Sequence, residues 1–206
     1  VNGATGLALV WQFDRPRPAV SSALVGGGLT DVSWVLNLSV VADYARLDAA
    51  DHLRDVAGEL GLRGSGVAMM TAVDVRRHHA VDVDGVSVCA TVGVSTPTWA
   101  ADRAGATTAL RRSAPGTINI VAEVPATFEP GALVNLATTM PEAKTQALIE
   151  AGVPGTGTAT DALCIVGRHD CPTDVFGGPR SHWGGRLARA THDAISHRLD
   201  ARPSAT

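Results

Sequence analysis

PEAKTQALIEAGVPGTGTATDALCIV, from Pro141 to Val166, reads as the last turns of a helix, a glycine turn and an apolar strand. Ala143, Ala147, Leu148 and Ala151 recur at helical spacing, while Glu142, Lys144, Gln146 and Glu150 fall mostly on other faces. The helix is expected to stop at Gly152, because Val153 and Pro154 cannot extend it. Gly155 and Gly157 then permit backbone angles closed to other residues before Thr158 opens the strand. Such a turn can aim several N–H groups at one point. Thr156, Thr158, Thr160 and Asp161 crowd around it, a mixture of hydroxyls, carboxylate and backbone donors that suits a polar reaction better than packing.

Moving upstream, a long helix from about Pro130 to Ala151, with Pro141 as a point of interruption, follows a strand GTINIVAEV (Gly116 to Val124) that carries Asn119. The same order occurs earlier in the chain. VSWVLNLSVV (Val32 to Val41) is a strand carrying Asn37, and Asp48 to Leu60 is an amphipathic helix with Leu53, Val56, Ala57 and Leu60 on one face. Gly61 or Gly64 ends that helix, and Gly66 to Val73 is a buried strand. Thr71-Ala72-Val73-Asp74 and Thr158-Ala159-Thr160-Asp161 both read T-A-x-D. Two such units predict an α+β fold, a single-domain α/β sandwich whose mixed β-sheet is built from two pseudo-symmetric strand–helix–strand units with helices packed on it. Residues 1–200 make up this domain and 201–206 a frayed tail.

The remaining segments fill in around these units. Leu7 to Phe13 and Ala19 to Ala23 are expected as two short strands joined through the proline-stiffened DRPRP. Gly26, Gly27 and Gly28 follow, either as a tight turn or as a loop allowing close backbone approach to a ligand; no GK[ST] follows them. Asp84-Gly85 between VDV and VSVCATVG signals a hairpin. His78 and His79 precede it and point to opposite faces, which disfavours a shared metal. The stretch from Ala101 to Ala114 shows no regular period and reads as a mobile flap. Pro179 to Leu199 is the last helix, with a core stripe of Trp183, Leu187, Ala190, Ala194 and Ile195; His182, His192 and His197 share no i, i+4 face and read as solvated or capping.

Composition narrows the function classes. A chain of 206 residues fits one domain with a substantial core, and a net charge of −3 gives no electrostatic footprint for nucleic acid. With no apolar run of membrane-spanning length and no basic n-region before a long apolar stretch, the chain reads as soluble and cytoplasmic. It begins with Val rather than Met, so the natural N-terminus is expected to be trimmed or not included. Cys89, Cys164 and Cys171 are odd in number and lack a CxxC pair, so they read as reduced thiols rather than a disulfide framework or a zinc site, and no metal cluster is expected. Of 17 basic residues only Lys144 is a lysine, the basic side chain whose proton is readily tuned.

With these segments in place, the chain resembles the adenosylcobinamide amidohydrolase family, the CbiZ-type corrinoid-salvage enzymes. The resemblance is carried by SSALVGGGL (Ser21 to Leu29), VLN (Val35 to Asn37), HL with LGL (His52 to Leu62), TVGVSTPTWA (Thr91 to Ala100), PGTINIV (Pro115 to Val121), TMPEAKTQAL (Thr139 to Leu148) and GVPGTGTATDA (Gly152 to Ala162). It implies a hydrolase that cuts the amide joining aminopropanol to the propionate arm of the corrin ring, releasing adenosylcobyric acid and 1-amino-2-propanol. The corrinoid and its cobalt enter as substrate, no further cofactor is implied, and a homo-oligomer is left open.

Amide hydrolysis needs an activated nucleophile, donors for the oxyanion and an acid for the departing amine. In one arrangement Asp161 or Glu142 deprotonates water, the amides of Gly155 to Gly157 hold the oxyanion and Lys144 protonates the amine. In another, Thr158 or Thr160 attacks, with Lys144 easing its deprotonation. Water attack is favoured, because threonine without a strong base is sluggish. Asn37 and Asn119 would orient amides of the corrin periphery or form a buried network, and Trp99 would lie against the macrocycle or join the core. The rival classes are a corrinoid-binding module without turnover and a threonine-nucleophile amidase acting on other substrates.

Overall fold

The computed structural model describes residues 6–102 and 116–200. The expected flap from residue 103 onward, and the expected tail, lie outside the described residues. In chain order the elements are β1 (Ala8–Ser21), β2 (Gly28–Ser39), α1 (Ala49–Glu59), β3 (Gly66–Thr71), β4 (His79–Val83), β5 (Val86–Val92), β6 (Ile118–Glu123), β7 (Thr127–Phe128), α2 (Pro130–Glu150), β8 (Ala162–Val166), β9 (Thr173–Asp174) and α3 (His182–Asp200). Seven strands form one mixed sheet in the order β3-β2-β1-β8-β6-β5-β4, and β7 pairs with β9 apart from it.

The expected duplication is visible in the topology. β2 pairs parallel with β3 across α1, and β6 pairs parallel with β8 across α2; each first strand also has an antiparallel neighbour that precedes it in the chain, β1 for β2 and β5 for β6. The T-A-x-D echo, by contrast, does not mark equivalent places. Thr71 ends β3, where its Oγ1 accepts from the Val73 N–H, and Asp74 caps the short 3₁₀ turn Val75–Arg77. Thr158 to Asp161 instead precede β8, which begins at Ala162 rather than at Thr158. The strand starts late because the Asp161 carboxylate accepts the Thr158 N–H at 3.1 Å and closes the segment into a turn.

DRPRP does not split the first strand in two. β1 runs unbroken through it, but its register against β2 jumps from Gln12 opposite Trp34 to Arg17 opposite Val32. Residues 13–16 therefore bulge out, and a bulge is where a strand tolerates a residue such as Pro16 that has no N–H to donate. Pro141 likewise leaves α2 unbroken: the neighbouring Met140 and Ala143 are buried, and their packing outweighs a local cost of about 3 kcal/mol for an interior proline. The helix stop at Gly152 is as expected. Its φ is +69°, and the Val153 N–H reaches back to the Leu148 carbonyl at 2.9 Å, a Schellman closure.

Alternation along the strands sorts the apolar residues into cores on both faces of the sheet. Leu136, Met140 and Leu148 of α2 and Leu187 and Ile195 of α3 pack on Ile118, Ile120 and Ile165, while Leu53 and Ala57 of α1 pack on Trp34, Leu36 and Leu38. Val35, Val67, Met69, Val121 and Cys164 form a third cluster on the opposite, concave face. That face is closed by curling: Asn119 of β6 donates to Asn37 of β2 at 2.8 Å, although two strands separate them in the sheet. Curling draws the end of β3 toward the start of β6 and so forms the walls of the cleft described below.

α2 and α3 are clasped by His192, whose Nε2 lies 2.7 Å from Glu150 Oε2. The Glu150 hydrogen bond raises the His192 pKa above its ordinary value, against a smaller opposing effect of burial. Glu150 is held below the usual carboxylate range, first by Gln146 and then by His192. The His192 contribution to stability is therefore present below its unfolded pKa and lost as pH rises through the folded one. The Glu150 contribution is present above its unfolded pKa and lost as pH falls through the folded one. Thermal melts of wild type and His192→Gln should differ most between those two limits and converge at alkaline and strongly acidic pH; a constant difference across pH would show that the clasp is not ionic.

Candidate active site

The turn after α2 is organised by one carboxylate. Asp161 Oδ1 accepts the Ile118 N–H at 2.9 Å and the Thr158 hydroxyl at 2.5 Å, and Oδ2 accepts the Thr158 N–H at 3.1 Å and Lys144 Nζ at 2.5 Å. Four donors fill the four acceptor positions of a carboxylate. The Asp161 and Lys144 side chains are only 16% and 12% exposed, so the pair is held mostly out of water, where charge-assisted hydrogen bonds are strong. Gly157 makes room for it. A Cβ there would stand 2.4 Å from Asp161 Oδ2 and 2.6 Å from Lys144 Nζ, so no other residue fits without displacing the pair.

A strap from the preceding loop covers the turn. The Thr98 N–H donates to the Gly157 carbonyl at 2.9 Å, the Thr156 N–H donates to the Thr98 carbonyl at 2.8 Å, and the Ala100 N–H donates to Thr156 Oγ1. Trp99 rides on this strap, half-exposed. The strap and the turn together use amides that the sequence assigned to the oxyanion: Gly155 donates to the Val153 carbonyl and Thr156 to Thr98. Of the three amides expected to face the oxyanion, those of Gly155 and Thr156 are therefore engaged within the chain.

Beside the turn lies a cleft of about 470 Å³. Thr117, Thr160, Asp161 and Ala162 line it from the starts of β6 and β8, and Val40, Val41, Met69, Met70 and Thr71 line it from the ends of β2 and β3. Ser22, Leu24, Tyr44 and Ala72 complete the lining. Tyr44 Oη shares a 2.9 Å hydrogen bond with His52 Nδ1, and burial raises its phenol pKa above the ordinary value. Apart from Asp161, the lining side chains are apolar or hydroxylic.

The structure thus brings Asp161, Lys144 and Thr158 into mutual contact and sets Thr160 beside them on the cleft. Glu142 does not join them. Two residues from Lys144 along the same helix it faces about 200° away, exposed in the groove with Arg189 and His192 of α3. Asn37 and Asn119 are 2% and 1% exposed and bond to each other, to Thr91 Oγ1 and to the Met70 carbonyl, which makes them a buried network rather than a surface for amides of a bound ring. Gly26, Gly27 and Gly28 turn the chain between β1 and β2; a Cβ on Gly26 would meet the Gly66 carbonyl at 2.1 Å, so its close approach is to β3 and not to an opening. The cleft residues Tyr44 and Met70 carry no motif, Thr117 is not singled out within PGTINIV, and only the curling of the sheet gathers them. Among the described residues, no three His, Cys, Asp or Glu side chains converge on a metal-binding point, and no helix is long and apolar enough to cross a membrane.

Comparison with known proteins adds an independent line. Residues 3–205 match the family model of adenosylcobinamide amidohydrolase. The chain belongs to this family. Its members are hydrolases acting on an amide bond. The adenosylcobinamide amidohydrolase of Halobacterium salinarum is 28% identical over 185 residues, covering 87% of this chain and 79% of that protein. That of Methanosarcina mazei is 29% identical over 194 residues, covering 89% and 90%. Among solved structures, the crystal structure of the PH0078 protein from Pyrococcus horikoshii aligns over 90% of this chain and 72% of its own, with a TM-score of 0.43 and 12% identity. Membership gives the Asp161 cluster a reaction to be weighed against, the hydrolysis of an amide.

Proposed function

We propose that this protein hydrolyses the aminopropanol amide of adenosylcobinamide to adenosylcobyric acid and 1-amino-2-propanol, in the salvage of corrinoids for cobalamin synthesis. The observation that carries this reading is the Thr158–Asp161–Lys144 cluster beside an open cleft, in a chain of an amidohydrolase family. A cleft of about 470 Å³ lies within the range of small-ligand pockets. It takes the amide arm and one edge of the ring, while the exposed Leu24 and Val41 at its lining offer apolar surface to the remainder. The cobalt corrinoid is substrate, and the chain's own residues perform the chemistry.

Asp161 is the base in this mechanism and Thr158 the nucleophile. The hydroxyl already donates to the carboxylate at 2.5 Å, whereas a water molecule would have to displace one of four donors to reach it. As Thr158 Oγ1 bonds to the carbonyl carbon, its proton passes to Asp161. Collapse breaks the C–N bond and that proton leaves on the amine, giving an ester to Thr158. Water then attacks the ester, loses a proton to Asp161 and releases the acid, and Thr158 recovers the proton. Lys144 keeps its charge throughout, holding the carboxylate in place and offsetting the negative charge that develops next to it.

Mass spectrometry of adenosylcobinamide incubated with the protein tests the reading directly. The expected result is conversion to adenosylcobyric acid with stoichiometric 1-amino-2-propanol. Binding of the corrinoid with no change in mass would overturn it and leave a corrinoid-binding module.

A further inference from the structure

The cluster described above supplies a nucleophile and a base, and the Gly155 and Thr156 amides, committed to the chain itself, are not available to the carbonyl oxygen. A second pair of hydroxyls stands one residue away. Thr117 Oγ1 and Thr160 Oγ1 are 2.8 Å apart, and both residues line the cleft alongside Asp161. The start of β6 therefore grips the turn twice in succession: the Thr117 side chain holds Thr160, and the Ile118 N–H holds Asp161. Neither Thr117 nor its hydroxyl pairing announces itself in the sequence.

The environments of the two hydroxyls set the direction of the bond. Thr117 is buried, 5% exposed, and among the described residues Thr160 is the hydrogen-bond partner of its hydroxyl; Thr160 is exposed to the cleft. Were Thr160 to donate, the buried Thr117 proton would have no acceptor among the described residues. With Thr117 donating, its proton is satisfied, and the Thr160 hydroxyl is left with its own proton to direct into the cleft. A donor that itself accepts a hydrogen bond is polarised and strengthened as a donor.

We propose that Thr160 is the hydrogen-bond donor to the oxygen of the scissile carbonyl, and that Thr117 is the positioning residue that fixes the direction of its hydroxyl. This rests on the hydrolysis proposed above. As Thr158 attacks, charge accumulates on the carbonyl oxygen, and a preoriented donor at that place stabilises the transition state more than the bound substrate. Its loss therefore falls on kcat and leaves KM nearly unchanged.

The test is steady-state kinetics on adenosylcobinamide for wild type, Thr117→Val, Thr117→Ser, Thr160→Val and the double variant Thr117→Val with Thr160→Val, each normalised to the folded fraction from a urea titration. Thr160→Val should lower kcat about a hundredfold, the scale for an oxyanion donor, and Thr117→Val about tenfold or more, both with KM within about twofold. Thr117→Ser, which keeps the hydroxyl, should recover wild-type turnover, and the double variant should be no slower than Thr160→Val alone. Unchanged kcat in Thr160→Val, or losses that multiply in the double variant, would overturn the assignment. So would a Thr117→Val loss fully accounted for by unfolded protein, or a failure of Thr117→Ser to recover. Wild type that turns nothing over is a different failure, of the reaction itself.

Discussion

Asp161→Asn should lower turnover on adenosylcobinamide by about a thousandfold or more, within the range found for a general acid–base group that also holds other catalytic parts in place. The side chain accepts from Lys144, from the Thr158 hydroxyl and from two backbone amides. An amide has one oxygen in place of two, so at least two of those donors lose their acceptor, and its own N–H₂ group then faces donors. The variant cannot take a proton from Thr158, and it leaves a largely buried ammonium unpaired. Some stability is lost as well, because removing one partner of a shielded ion pair strands the other. Lys144→Met separates the two effects: it breaks the same ion pair, stranding the carboxylate instead, but leaves the carboxylate and Thr158 in contact, so it should retain more turnover than Asp161→Asn. Urea titrations supply the folded fraction. Turnover within tenfold of wild type in a folded Asp161→Asn protein would remove this carboxylate from the chemistry.

Much of the fold is legible in short stretches because local chemistry decides them. Asp84 and Gly85 both have positive φ, at 51° and 86°, the type I′ turn that their identity calls for, and Gly152 stops α2 where periodicity ends. The two strand–helix–strand units are readable for the same reason, since each alternation and each helical stripe is a property of its own segment. The misreadings share a cause. Pro16 and Pro141 are judged by what proline does to an isolated strand or helix, whereas here a bulge absorbs one and packing of Met140 and Ala143 overrides the other. T-A-x-D matches in letters, yet one copy follows a strand and the other precedes one, a difference that only hydrogen-bond partners reveal.

The site follows the same division. Lys144, Thr158 and Asp161 lie within 18 positions of one another, joined by a helix end and a turn, so their meeting is a short-range consequence of the sequence. Thr117, Thr98 and Tyr44 arrive from other parts of the chain, and nothing short-range in their own segments points to one another. Yet five of the seven stretches on which the family resemblance rests converge here: Ser22 and Leu24 from SSALVGGGL, Thr98 from TVGVSTPTWA, Thr117 and Ile118 from PGTINIV, Lys144 from TMPEAKTQAL and Asp161 from GVPGTGTATDA. Asn37 and Asn119 stand behind that convergence. Their buried bond ties β2 to β6 and thereby fixes how near the two walls of the cleft approach.

Thr158→Val should abolish turnover to a similar degree, about a thousandfold, and this variant decides between the two ways the cluster can work. Valine matches threonine in shape, so the turn keeps its packing while Asp161 Oδ1 loses the 2.5 Å hydroxyl. If water attacked the amide directly, that loss would open an acceptor site on the carboxylate for the water, and Thr158→Val would turn over at a rate near or above wild type. With Thr158 as nucleophile, the vacated site gains nothing, because the group that bonds to carbon is gone. Thr158→Ser retains the hydroxyl and should stay within about tenfold of wild type. Rapid quenching of wild type during turnover, followed by digestion and mass spectrometry, should find the Thr158 peptide heavier by the corrinoid acyl group, and hydroxylamine should remove the added mass, as expected of an ester. Near-normal turnover in Thr158→Val, or a wild type that turns over with no ester ever trapped, would hand the attack to water and leave Thr158 as a ligand that merely holds the carboxylate.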